Sequence, residues 1–141
     1  RAENLLKTQS LAKKIWRQLN QEKINAVLLE GDLGAGKPAF CQEILRLAGA
    51  EGPFTSPTFV IMKKYDLKAK AGFFQTIYHL DCYRIGEKDL LELGWEEIIA
   101  DPKNLVLVGW PEKIQKIWPK KYLKIAFQVR GEKEREIVVG R

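Results

Sequence analysis

Apolar residues recur with helical spacing at Leu11, Ile15 and Leu19, with Ala12 and Trp16 beside them, and predict an amphipathic helix ended by Asn20 and the polar turn after it. The run from Ile24 to Leu29 is short and continuously apolar, which suits a strand buried on both faces. Glycines between Gly31 and Gly36 interrupt the pattern. A second helix is then expected over Ala39 to Ala48, carrying Phe40, Ile44, Leu45 and Leu47 and stopped by Gly49.

The middle of the chain changes period. Thr58 to Tyr65 is rich in β-formers and follows two prolines that exclude a helix, so it reads as a strand. The polar stretch from Asp66 to Gly72 looks like a hairpin connection to a returning strand over Phe73 to Tyr83. Glu87 to Ala100 has the spacing of a third helix, with Leu90, Leu91, Leu93, Ile98 and Ile99 on its apolar side and Asp101-Pro102 as its stop. Leu105 to Val108 is another buried strand, halted by Gly109-Trp110-Pro111, and two strands follow around Tyr122 to Val129 and Arg135 to Val139 with a turn at Gly131. The order α-β-α-β-β-α-β-β-β implies an α/β fold, a mixed β-sheet flanked by helices. At 141 residues, without repeats or linkers, residues 1–141 are expected to form a single domain.

Composition narrows the picture only slightly. No apolar run approaches the roughly 20 residues that cross a bilayer, and no signal-peptide pattern opens the chain, so a cytoplasmic protein without a membrane partner is expected. Cys41 and Cys82 sit among apolar neighbours as reduced, buried thiols, and one histidine, His79, leaves too few ligands for zinc. The net charge of +6 suits an anionic partner such as a nucleotide or RNA. Because acidic residues interleave, solvated faces account for most of the lysines and arginines.

The chemistry concentrates at Gly31-Asp32-Leu33-Gly34-Ala35-Gly36-Lys37, which matches the G-x-x-x-x-G-K core of the phosphate-binding loop. An apolar strand leads in and an amphipathic helix leads out. The glycines allow backbone N–H groups to turn inward on phosphates, the helix N-terminus adds positive potential, and Lys37 reaches the terminal phosphates. The position after the lysine normally carries Ser or Thr, whose hydroxyl ligates Mg²⁺. Here it is Pro38, which has neither a hydroxyl nor an N–H, and which biases Lys37 away from helical geometry. Proline is tolerated in a first helical turn, so the fold survives while phosphate affinity suffers.

Taken in order, GDLGAGK, Ser56-Pro57-Thr58-Phe59, HLDCYR (His79 to Arg84) and WPEK (Trp110 to Lys113) resemble the TsaE family, whose pattern reads GDLGAGKTTF, SPTF, HxDxYR and EWPE or EWPQ. The likeness runs from about Thr8 to the C-terminal strands. It implies a P-loop NTPase-like fold and an ATPase, binding ATP or ADP with Mg²⁺, that serves synthesis of N6-threonylcarbamoyladenosine at position 37 of tRNA. The implied partner is a threonylcarbamoyl-transfer complex of two related sugar-kinase-like subunits, with tRNA contacted only indirectly.

Carried over from that resemblance, Asp32, Gly34, Ala35, Gly36, Lys37, Pro38 and Ala39 surround the phosphates, and Lys37 and Asp81 are the catalytic pair. Asp81 would hold Mg²⁺ or its water, although capping a turn or pairing with Arg84 explains an acid there as well. Thr55, Ser56 and Thr58 match a switch-like loop near the γ-phosphate, where turn hydroxyls beside prolines are the plainer explanation. Trp110 matches a tryptophan beside the site, and Thr8 and Arg135 approach the base and the phosphates. A second departure is Gly109, where the family carries glutamate. With Pro38 and Gly109 in place, two of the expected metal-site groups are missing. Two functions stay open: a nucleotide-binding protein with impaired hydrolysis, and an interaction module that binds its partner complex without turnover. A small-molecule kinase is disfavoured, because 141 residues leave little room for a lid and a substrate pocket.

Overall fold

A computed structural model describes residues 2–31, 37–53, 62–68, 71–130 and 134–140. Helix α1 (Ala2–Glu22) leads into β1 (Ala26–Gly31), and α2 (Lys37–Leu47) follows the glycine-rich segment. Next come β2 (Met62–Asp66), β3 (Thr76–Asp81), the short helices α3 (Glu87–Glu92) and α4 (Trp95–Ala100), and β4 (Asn104–Gly109). A 3-10 segment (Pro111–Ile117) precedes the final strands β5 (Leu123–Arg130) and β6 (Glu134–Gly140).

The strands form a six-stranded sheet in the order β2-β3-β4-β1-β5-β6. β3, β4, β1 and β5 run parallel, and the edge strands β2 and β6 are antiparallel to their neighbours. Helices cover both faces, which explains why β1 and β4 are apolar at consecutive positions. On one face, Val27, Leu29, Leu105 and Leu107 meet Ala12, Ile15 and Leu19 of α1 and Phe40, Ile44 and Leu45 of α2. Phe40 and Phe127 meet edge to face, 5.7 Å apart. On the other face, Ala26, Leu28, Val106 and Val108 meet Leu90, Trp95, Ile98 and Ile114. Trp95 is fully buried, and its Nε1–H donates to the Ile117 carbonyl at 2.9 Å.

Two elements differ from the sequence reading. The helix expected over Glu87 to Ala100 is two helices, because Gly94 adopts a left-handed φ of 91° and turns the chain between them. Glycine bears that conformation without a Cβ penalty, and the bend lets both Leu90 and Trp95 reach one core. Asn20 lies two residues inside α1, which stops at Glu22 in the polar turn expected to end it. The Asn20 side chain ties the helix to a distant loop: Nδ2 donates to the Trp16 carbonyl and Oδ1 accepts from the Phe73 N–H, each at 2.7 Å. The segment after Trp110, where the sequence showed only a stop, is the 3-10 element. Of the strand expected from Thr58 to Tyr65, residues 58–61 lie outside the described residues, as does Gly131.

Two features carry measurable energy. Gly72 lies so close to α1 that a Cβ there would collide with Asn20 Oδ1 and sit 3.0 Å from the Trp16 ring. Gly72→Ala is expected to destabilise the protein by about 1–3 kcal/mol, seen as a lower urea midpoint with an unchanged m-value. His79 in β3 is 8% exposed, and its Nδ1 has no hydrogen-bond partner among the described residues. Burial lowers its pKa from 6.5 to about 4; the Asp81 charge opposes the shift and the Lys63 charge adds to it. The unfolded chain therefore binds the extra proton between those values, so stability is full above pH 6.5 and falls as the medium is acidified. Urea titrations should show a loss of about 2 kcal/mol between pH 7 and pH 5, and His79→Phe should remove most of that loss.

Candidate functional site

The parallel pairing fixes which residues meet at the C-terminal end of the sheet. Asp81 closes β3 opposite Gly109, which closes β4, and Gly109 in turn stands opposite Leu29 of β1. With strands about 4.8 Å apart, Asp81 lies roughly 10 Å across the sheet from β1. Two residues beyond Leu29, β1 ends at Gly31, and the chain re-enters described structure at Lys37, the first residue of α2. A strand and a helix thus bracket the glycine-rich segment. Asp32, Gly34, Ala35 and Gly36 themselves lie outside the described residues, as do Thr55, Ser56 and Thr58.

Alternation along the strands decides the face. Ile77 packs with α1 and α2 while Leu80 packs on the opposite side, so Asp81 projects from the α1/α2 face. By the same count Leu107 and position 109 share that face. The two positions that bear the expected carboxylates therefore stand side by side, on the face that carries α2. Only Asp81 supplies one. Its Oδ1 accepts a 3.0 Å hydrogen bond from the Tyr83 N–H, which fixes the turn after β3. It forms no ion pair with Arg84 among the described residues. The next residue, Cys82, is buried and its thiol is pushed up to about 12, chiefly by burial and then by the charges of Asp81 and Glu112. It is an inert thiol.

Gly109 is an ordinary strand residue. A Cβ built on it comes no closer than 3.5 Å to another atom, the Leu80 carbonyl oxygen, so a side chain fits there. Pro38 is exposed and stands second in α2, where a missing N–H breaks no bond within the helix. Lys37 is nevertheless part of α2, so the expected bias against helical geometry does not move the start of the helix. Ala39 follows in the first turn, half-buried.

The more distant residues fall at the same end or near it. Trp110 leaves β4 with a left-handed φ of 58° and packs its ring 4.8 Å from that of Tyr83. It lies against the core of the α3/α4 face, so it borders the strand ends from the side opposite Asp81. Thr8 is buried in the N-terminal half of α1. The other end of α1 feeds the start of β1, which leaves Thr8 toward the end of the sheet where the strands finish. Arg135 lies in β6 opposite Val129, two residues past the pairing of Phe127 with Gly31.

As a cation site the donor set is thin. Among the described residues no group of three or more His, Cys, Asp or Glu side chains converges. Pro38 and Gly109 offer no side-chain ligand, which leaves the carboxylate of Asp81 among the described residues. Mg²⁺ is commonly held by one or two protein carboxylates, its shell completed by phosphate oxygens and water. No described helix is long and apolar enough to cross a membrane.

The family model of the threonylcarbamoyl adenosine biosynthesis protein TsaE matches residues 2–137. A tRNA threonylcarbamoyladenosine biosynthesis protein TsaE of Rickettsia felis is 38% identical over 130 residues, covering 91% of this chain and 71% of that protein. The TsaE of Bacillus subtilis is 32% identical over 136 residues, covering 86% of this chain and 82% of its own. Among solved structures, Bacillus subtilis YdiB superposes with a TM-score of 0.63 at 27% identity, over 94% of this chain and 77% of that one. The fold is the P-loop NTPase-like mixed sheet flanked by helices, and the chain belongs to the TsaE family.

Proposed function

We propose that this chain is a single nucleotide-binding domain that takes ATP or ADP at the β1–α2 junction and serves the threonylcarbamoylation of adenosine 37 in tRNA with hydrolysis impaired. The observation that carries the reading is the side-by-side placement of Asp81 and Gly109 on one face of the sheet, next to the strand that leads into GDLGAGK. Backbone N–H groups and Lys37 would hold the phosphates, and Asp81 would orient a water or cation beside them. Its partner would be the threonylcarbamoyl-transfer complex of two sugar-kinase-like subunits, reached in the cytoplasm.

Phosphoryl transfer rests on positioning and charge neutralisation, so groups missing from the metal site are felt in turnover before they are felt in folding. Loss of one such electrostatic group costs about a hundred- to a thousandfold in rate. Two missing groups that serve one cation leave little hydrolysis. The alternative of an interaction module without nucleotide differs in one measurable property, which is affinity for ADP.

Calorimetric titration with ADP should therefore give saturable binding that Mg²⁺ strengthens little. Absence of binding would favour the interaction module. Pro38→Thr should tighten ADP and restore the Mg²⁺ dependence, because it returns both a hydroxyl and an N–H. Gly109→Glu alone should change affinity little, and because a Cβ at position 109 meets its nearest neighbour at ordinary contact distance, the Tm should stay unchanged. The double variant should raise ATP turnover at least about a hundredfold, more than the product of the single effects, since both groups serve one site. Robust hydrolysis by the unaltered chain, assayed with the partner complex present, would overturn the impaired-site reading.

A further inference from the structure

Charge is segregated between the two sides of the sheet. On the α3/α4 side, the two helices carry Glu87, Asp89, Glu92, Glu96 and Glu97 against one cation, Lys88. On the other side, α1 exposes Lys7, Lys13, Lys14 and Arg17 and has no Asp or Glu between Glu3 and Glu22. Lys13 and Arg17 are one helical turn apart and form no ion pair among the described residues. Neither contributes to the nucleotide site.

Beside those two cations is a cleft of about 450 Å³, lined by Lys13, Trp16, Arg17, Asn20, Gly72 and Phe73 among others. Both rings are only half-buried. The cleft is held open by the Asn20 hydrogen bonds to Phe73 and Trp16 and by the close approach of Gly72. Two further cations crowd its rim: Lys103 Nζ lies 3.8 Å and Lys23 Nζ 5.2 Å from the Phe73 ring centroid. Because Gln75 and Thr76 bond to Lys103 at the start of β3 and β4, the cleft sits at the N-terminal end of these strands, away from the phosphate loop.

We propose that the cleft and the basic face of α1 bind single-stranded RNA directly, one unpaired base lying against Trp16 and Phe73 and the flanking phosphates on Lys13 and Arg17. A groove of cations that tracks a backbone, with aromatic surface for a base, is the combination that single strands use. The volume suits one base and its sugar. An acidic peptide would satisfy the cations and leave the rings uncovered, and a duplex would keep its bases stacked out of reach. The acidic α3 and α4, on the opposite side, turn the chain's net positive charge toward α1 and present that helix to a polyanion. The site shares no residue with the nucleotide site, so it stands or falls independently of ATP binding.

Fluorescence anisotropy of the full chain with a labelled single-stranded RNA of about twelve nucleotides, and with a hairpin duplex of similar length, tests the assignment. The single strand should bind at least about tenfold more tightly than the duplex, with affinity that falls as salt rises. Lys13→Glu with Arg17→Glu should weaken RNA binding at least tenfold. Lys88→Glu with Lys116→Glu, an equal change in net charge at exposed positions on the opposite side of the sheet, should leave it nearly unchanged. Trp16→Leu should erase the preference for the single strand. Should that variant lower the Tm, Phe73→Leu makes the same test from the other wall. Equal weakening by both charge pairs, equal affinity for duplex and single strand, or displacement of RNA by a glutamate-rich peptide at similar concentration would overturn the proposal.

Discussion

Everything at the candidate site hangs on the parallel register of β3, β4 and β1. These strands are buried on both faces, so their order and direction are fixed by apolar packing rather than by any residue that could do chemistry. Because they run the same way, they finish at one edge, and Asp81, Gly109 and the exit toward the glycine-rich segment are delivered there together. Ligand sites in such sheets lie beyond the carboxyl ends of the strands for this reason. The antiparallel edges β2 and β6 close the sheet without disturbing that edge.

The legibility of the sequence followed the range of the forces involved. The buried strands were readable because a continuous apolar run of about six residues between turn signals has few other solutions. The phosphate-loop motif was readable because its glycines and lysine are contiguous. Asp81 and Gly109 became interpretable only through the ordered motifs of the family, since nothing local joins residues 28 positions apart. The break at Gly94 was hidden because a helix bent by a left-handed glycine keeps nearly the same apolar spacing as a straight one. The union of Asn20 with Phe73, 53 residues away, left no local trace at all.

Separation of framework from chemistry explains how the chain tolerates its own departures from the family pattern. Pro38 sits where a helix has no bond to lose, and Gly109 sits at the last position of a strand whose buried residues, Leu105 to Val108, already anchor it. Neither change opens a cavity or orphans a buried donor, which are the usual routes to a large loss of stability. In the proposed function both positions act only when a phosphate and a cation are bound. Such positions can be emptied while the core, the register and the outer faces persist. The basic face of α1 and the acidic α3 and α4 are carried by elements other than those that hold Pro38 and Gly109, so neither substitution alters them.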